Sequence, residues 1–519
     1  MQWLLDSFKH KPLRSVLILA FSLRVLASFF APGYLMHDDH FLVVEAAASW
    51  ADGEDYNAWL PWNMGEVKKP HPANFAYVGT QYIYFEVIKW LGVDDPKIKM
   101  LILRLLHGLY SLLIVWFGYK ITEKISTKKN ALIVGLLLAA MAIMPNFSVR
   151  QLVEFSCIPP LLFASWILIK NEGNWKTSHF ILAGIGIGLA TGFRFQCGVF
   201  GIGFGLALLV MRQWKGAIIL GVASLFFFAM AQIQDVFIWG EPFKQLRAYI
   251  EYNDQNAGNY PNGPFYQYLL TLIGFLIPPV SIFLLFGYFR EGRRFWLLFF
   301  PSLAFFIFHS AFPNKQERFI FPFIPYLVIL GVIGWNRFVE GSSFWTKRKK
   351  LLHFSYGFFL VLNTLGLVVL GFTYGKKARV EAMYHLYEQD DFQNFMAVFV
   401  ESSAMPPTFY TGSWPNYYYF KPGETQMDSQ NRWMCNRQET RNMPNYLLFY
   451  GFEKNKEVAA TFEKAYPSME FQTTIEPGML DKVVHWLNPI NSLEYVDIYR
   501  IDTEDICSYE TRKLNNEVP

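Results

Sequence analysis

The chain has 519 residues, of which 53% are hydrophobic and only 17% charged, against roughly 25% charged in a soluble protein. The net charge is only +4 and no Lys/Arg block lies apart from the flanks of apolar runs, which argues against a nucleic-acid-binding protein. With 51 Phe, 28 Tyr and 16 Trp, the composition is that of a polytopic membrane protein with many interfacial anchors.

Apolar runs of roughly 17–25 residues read as membrane spans. Eleven are present, at about 14–31, 98–119, 131–146, 155–170, 179–194, 197–211, 217–235, 266–289, 295–311, 319–336 and 351–373. No small-residue cleavage site follows the first, so it reads as a retained span, not a removed signal peptide. With Lys9, Lys11 and Arg14 placed on the cytoplasmic side, every second connection is short and basic: Lys120 to Lys129, Lys170 to Lys176, Arg212 to Lys215, Arg290 to Arg294, and Arg337 to Lys350. The opposite connections, 32–97, 147–154, 236–265, 312–318 and the tail, are aromatic and mixed in charge. This asymmetry puts the N-terminus in the cytoplasm and those connections on the exoplasmic side.

The expected architecture is an all-α polytopic bundle over residues 1–374, followed by a small exoplasmic α/β domain over 375–519. In the tail, Asn445 to Tyr450 and Tyr495 to Tyr499 read as strands, with a helix at Val458 to Tyr466 between them. In the long first loop, 32–97, the aromatic stretch from Tyr77 to Trp90 is too short to span. It reads as an interfacial helix or as one buried against the other loops. Cys157 and Cys197 fall in apolar runs and read as inert core residues; Cys435 and Cys507 fall in the polar tail, where an oxidising compartment would let them pair.

Ionisable residues at membrane depth are costly and mark function by default. The first such group is His37, Asp38, Asp39 and His40, followed by Glu45, just past the first span. It reads as a metal, proton-transfer or substrate site, or as the acidic edge of a helix start. Four adjacent residues do not readily reach one ion, and no second cluster completes a metal site. Further along come Arg104, His107, Arg150, Glu154, Arg194, Gln234, Asp235, Asn253, Lys315, Glu317 and Arg318, all at exoplasmic ends or in exoplasmic loops. Acidic and basic groups on one face suit a phosphorylated lipid: Arg and Lys hold the phosphate and a carboxylate takes a proton from a hydroxyl. A transporter or flippase of lipid-linked sugars, or an anchored exoplasmic binding protein, are the competing classes. Transporters more often show inverted repeats, and none is visible here.

These landmarks resemble the integral-membrane mannosyltransferases of glycosyltransferase family 22, which use dolichyl- or polyprenyl-phosphate mannose. The branch most alike is the GPI-anchor enzyme group that adds the third mannose. That family has a His-Pro-Asp-Glu-His/Tyr-Phe-Gln stretch after its first span, and Met36 to Leu42 with Glu45 resembles it, its Asp on Asp38 and its Glu on Asp39. Leu103 to Leu106, Val149 to Glu154, Gly192 to Phe195, Gln234 to Gly240 and Glu251 to Tyr268 follow in the family's order. Asn314 to Phe319, with Pro322 and Pro325, resembles its His-Lys-Glu-x-Arg-Phe-x-x-Pro motif, and Phe409 to Pro415 stands where the GPI enzymes have a Cys-His-x-x-Pro turn. The chain departs from the pattern at His37, at Gly79 to Gln81, at Pro264 to Gln267 and in the missing Cys-His pair. A divergent or bacterial relative fits these departures.

The resemblance implies a GT-C fold and an inverting hexosyl transfer from a lipid-phosphate donor to a glycan or glycolipid, without a cofactor or metal, by a membrane-bound monomer. It further implies Asp38 as base, Asp39 and His40 as its supports, and Lys315, Arg318 and Arg194 as stabilisers of the leaving phosphate. His37, Glu45, Arg104, Arg150, Glu154, Asp235, Asn253 and Glu317 complete the expected substrate-binding set.

Overall fold

The computed structural model describes residues 8–66, 68–71, 74–256, 258–259, 262–401, 405–421, 443–489 and 493–514. The chain divides into two compact units. One comprises Met1–Ala31, Asn57–Tyr84 and Leu101–Phe372; the other comprises Pro32–Tyr56, Phe85–Met100 and Thr373–Pro519.

The first unit is helical. Among the described residues six helices are long and apolar enough to cross a membrane: Pro12–Phe30, Pro96–Ile125, Val153–Lys170, Trp214–Ala231, Glu317–Gly341 and Lys349–Gly371. Thr177–Phe193, Phe195–Val210 and Trp296–Ala311 are shorter and equally apolar. The two remaining apolar runs are each broken in two. The run at 266–289 becomes Gln267–Phe275 and Val280–Glu291, because Pro278 and Pro279 supply no backbone N–H. The run at 131–146 becomes Lys128–Ala140 and Ile143–Ser148; Pro145 cannot donate to the Met141 carbonyl.

Inside a bilayer, freed backbone groups at such a break need partners from the protein. Asn363, on the last long helix, supplies both: its Oδ1 accepts from Ala142 N at 2.8 Å and its Nδ2 donates to Ala140 O at 2.8 Å. Arg24, 1% exposed, closes the same end from the other side. It donates to Ala139 O (3.3 Å), Leu138 O (3.4 Å), Ser111 Oγ (2.7 Å) and Ser148 Oγ (3.3 Å). A guanidinium on the last carbonyls of a helix meets the negative end of its dipole. Close helix packing elsewhere rests on small residues: a Cβ on Gly184 would lie 2.5 Å from Ala223 Cβ, and one on Gly188 2.7 Å from Phe227 Cβ, the small-residue contact that lets membrane helices approach.

The second unit is built on a five-stranded mixed sheet, β1 (Phe395–Phe399), β2 (Tyr417–Phe420), β3 (Tyr446–Gly451), β4 (Glu470–Ile475) and β5 (Tyr495–Arg500), in the order β2-β1-β3-β5-β4. β1 is parallel to β2 and β3; β5 is antiparallel to β3 and β4. Every residue of β1 and β3 is buried, as in strands covered on both faces. One face packs Met396, Val398, Leu447 and Phe449 against Phe462 and Tyr466, at the end of helix Asn455–Ala465, and against Ile506 and Tyr509 of helix Thr503–Leu514. The other is approached by helix Lys377–Tyr387. The strands expected at 445–450 and 495–499 and the helix between them are therefore present, each within a residue or a few of its expected bounds. Cys157 and Cys197 are buried free thiols; Cys507 is disulfide-bonded, and Cys435 lies outside the described residues.

The helix break leads to a first prediction. Asn363→Leu strands the Ala142 N–H and the Ala140 carbonyl and lowers stability by about 2 kcal/mol, read as earlier thermal unfolding in detergent. Leu365→Ala, at an exposed position of the same helix, changes it by less than about 0.5 kcal/mol.

Candidate active site

The second unit holds the acidic turn. After Asp38 the chain forms a π-helical turn, Asp39–Glu45, before helix Ala46–Ala51. Such wide turns recur at functional sites. Asp39, His40, Phe41, Val43, Val44 and Glu45 are all buried, whereas Asp38 is half-buried and His37 exposed. Asp38 is thus the more accessible of the two carboxylates.

His40 lies between two tyrosine rings, Tyr34 at 4.5 Å (15°) and Tyr410 at 5.5 Å (7°). Its Nε2 faces Glu45 Oε1 at 3.6 Å. The same Glu45 oxygen accepts from Thr408 Oγ1 (3.1 Å) and from the Phe409 N–H (3.0 Å). Glu45, expected to touch substrate, is spent on fastening the Thr408–Thr411 turn beneath His40. The stretch from Phe409 to Pro415 is tied down further along: Trp414 Nε1 donates to Asp52 (2.9 Å) and Tyr56 OH to the Pro415 carbonyl (2.9 Å). Below lies a bidentate fork in which Arg379 Nε and Nη2 donate to Glu494 at 2.5 and 2.8 Å. Burial opposes the Arg379 charge, but Glu494 outweighs it and holds the pKa above that of an ordinary arginine. Burial likewise pushes the Tyr34 hydroxyl up, with Arg379 pulling the other way.

The first unit holds a cationic cluster. Arg194 occupies the one extended residue between helices Thr177–Phe193 and Phe195–Val210. Its Nη1 pairs with Glu154 Oε1, and Arg318 Nε stands 3.6 Å from the same oxygen. All three are at most 6% exposed. Two buried guanidiniums thus meet at one carboxylate, and Arg318 Nε also donates to Gln316 Oε1 at 3.0 Å. Arg194 keeps Nε and Nη2, and Glu154 keeps Oε2, buried and without a hydrogen-bond partner. Such groups are costly when left unpaired. The guanidiniums flank the Phe319 ring at 4.8 and 5.6 Å.

Lys315, also expected on the phosphate, spends its ammonium otherwise. It donates to the carbonyls of His309 (2.8 Å), Ser310 (2.6 Å) and Phe312, closing the C-terminal end of helix Trp296–Ala311, and burial lowers its pKa. Three donors matched by three carbonyls leave Lys315 as a fixed charge near the cluster's loop.

The remaining expected residues divide by partner. Arg150 is buried, Glu317 exposed. Arg104 Nε donates to Ser28 O at 2.9 Å, and Asp235 Oδ2 accepts from Gln245 N at 3.0 Å at the start of helix Lys244–Asn256. Asn253 bonds Tyr249 O at 2.8 Å on that helix. Tyr249 itself meets Gln196, two residues past Arg194. These groups face the protein's own backbone and position it. His107 accepts from Tyr77 OH (2.9 Å) and Gln81 Nε2 (3.2 Å) once Nδ1 is given the proton for Leu103 O (2.9 Å). Sequence reasoning missed Tyr34, Tyr410, Arg24 and His309; only the Phe409–Pro415 stretch carried a signal, through its place in the motif order.

Comparison with known proteins bears on this arrangement. A profile described as the Alg9-like mannosyltransferase family matches residues 15–410. The human protein "Alpha-1,2-mannosyltransferase ALG9" is 25% identical over 336 residues, 58% of this chain and 53% of that protein; the chain spans about half the length of such curated relatives. Among solved structures, ArnT of Cupriavidus metallidurans bound to undecaprenyl phosphate superposes with a TM-score of 0.56 at 12% identity, covering 93% of this chain and 97% of that one. The apo oligosaccharyltransferase of Archaeoglobus fulgidus gives 0.52 at 13% identity over 90% of this chain and 74% of that one. These likenesses show a shared GT-C fold in a multi-pass membrane protein. With the family profile running over most of its length, the chain belongs to the Alg9-like mannosyltransferase family.

Proposed function

We propose that the chain transfers mannose from a polyprenyl- or dolichyl-phosphate carrier to a hydroxyl of a lipid-linked glycan or glycolipid on the exoplasmic face. The observation that carries this reading is the mixed demand of the cationic cluster: Arg194 offers two unused N–H donors and Glu154 one unused carboxylate oxygen. A sugar phosphate supplies what each lacks, an anion for the guanidiniums and a hydroxyl for the carboxylate. Mannose and a lipid-phosphate carrier are extended to this chain from its human relative and from ArnT. The disulfide at Cys507 fits an oxidising compartment and supports the exoplasmic placement of the tail.

In the proposed reaction Asp38 accepts the acceptor's hydroxyl proton. The resulting oxygen attacks the anomeric carbon, and the bond from that carbon to the phosphate oxygen breaks, its electron pair leaving on the phosphate. Attack opposite the leaving group inverts the anomeric configuration. Arg194 and Arg318 stabilise the departing phosphate, and Lys315 adds charge while holding its loop. Asp39 and His40, both buried, with His40 facing Glu45, keep the base oriented. The domain reading, a transmembrane catalytic part over 1–374 and an exoplasmic part over 375–519, belongs to the same proposal.

Incubation of the purified protein in nanodiscs with labelled polyprenyl-phosphate mannose and a lipid-linked glycan acceptor separates the classes. Sugar transfer with release of polyprenyl phosphate is expected, whereas movement of intact donor across vesicles would instead make the chain a transporter. Asp38→Asn should insert and fold normally yet lose about 10²–10⁴-fold in transfer; near wild-type transfer would sink the base assignment. Arg194→Lys keeps the charge but loses the fork, and should bind polyprenyl phosphate about 10-fold more weakly, measured by titration. Unchanged affinity would remove Arg194 from the phosphate site.

A further inference from the structure

The second unit carries a helix that faces the wrong way for a water-soluble surface. Helix Met479–Leu487 has no buried residue. Met479, Val483, Trp486 and Leu487, at positions i, i+4, i+7 and i+8, form one stripe, and they are 84%, 40%, 78% and 69% exposed. Its polar residues, by contrast, are half-buried and engaged by the protein. Asp481 accepts from the Gly478 N–H at 3.2 Å, Lys482 pairs with Glu476 at 2.6 Å, and the His485 ring lies 5.6 Å from Phe452. A surface helix normally turns its apolar stripe to the core and its charges to water; here the arrangement is reversed. A contiguous exposed stripe with Trp and Leu needs a cover that is not water.

The place of this helix in the chain identifies the cover. Helix Lys349–Gly371 is long and apolar enough to cross the bilayer and ends three residues before Tyr374. The Tyr374 carbonyl lies against Gly478, 3.2 Å from the point a Cβ there would occupy, and Gly478 is the residue that caps helix Met479–Leu487. The helix therefore starts beside the point where the chain leaves the membrane. We propose that Met479–Leu487 is an in-plane anchor whose Met479, Val483, Trp486 and Leu487 side chains enter the lipid leaflet where the last span ends. The occupant of the stripe is the bilayer itself: Trp at the level of the headgroups, flanked by apolar side chains reaching the acyl boundary.

The test uses the full chain in phosphatidylcholine nanodiscs. Met479→Cys, Trp486→Cys and His485→Cys variants are labelled separately with an environment-sensitive fluorophore; the wild-type chain, in which Cys157 and Cys197 are buried, sets the background. Labels at 479 and 486 should emit blue-shifted and be quenched by doxyl-labelled lipid but not by iodide. The label at 485, on the side that faces Phe452, should not be quenched by the lipid. Quenching of 479 and 486 by iodide alone would place the stripe in water and overturn the anchor. Protection of both from either quencher would show a protein cover and overturn it equally.

Discussion

The structure turns on one buried carboxylate. Glu154 is shared by Arg194 and Arg318, and a charge at membrane depth persists only with partners. Glu154 fixes both guanidiniums while two Arg194 N–H donors stay unused, so the cluster is held in place and open to a further acceptor at the same time. A hydrophobic replacement of all three would cost a bundle of this kind little stability and is often favourable. The retained ions therefore fit a binding role, and the anion proposed for it is the carrier's phosphate.

The acidic turn is built by the opposite device. There the ionisable groups are mostly consumed. Glu45 holds a hydroxyl and a backbone N–H 363 and 364 residues away in sequence, His40 is stacked between tyrosines, and Asp38 is left accessible at the edge. Fastening His40 and Glu45 while leaving one carboxylate half-exposed is how a general base is oriented and kept within reach of a substrate.

The eleven apolar runs were legible because length and composition alone decide a span. Their breaks were less so: Pro278 and Pro279 signal one, but the other is sustained by Asn363, more than 200 residues downstream, which no local pattern reveals. In the tail, β3 and β5 were readable as aromatic apolar runs. β4, at the sheet edge with only Thr473 and Ile475 even partly buried, carries no such signal. Asp38, Asp39, Arg194, Glu154 and Arg318 stood out because ionisable residues are expensive where they lie. The uses of Glu45, Lys315, Asp235 and Arg104 did not, since an ion that caps a backbone and one that binds substrate look alike in sequence. Helix Met479–Leu487 shows a related ambiguity: its periodicity announces an amphipathic helix but not which face meets the protein.

The central claim is that the unused Arg194 donors beside Glu154 receive the carrier's phosphate. A density map of the protein in nanodiscs with bound polyprenyl phosphate tests it most directly. The account predicts phosphate oxygens within hydrogen-bonding distance of Arg194 Nε or Nη2, with Glu154 still paired to Arg318. A phosphate bound elsewhere, with the Arg194 donors unchanged, would contradict it.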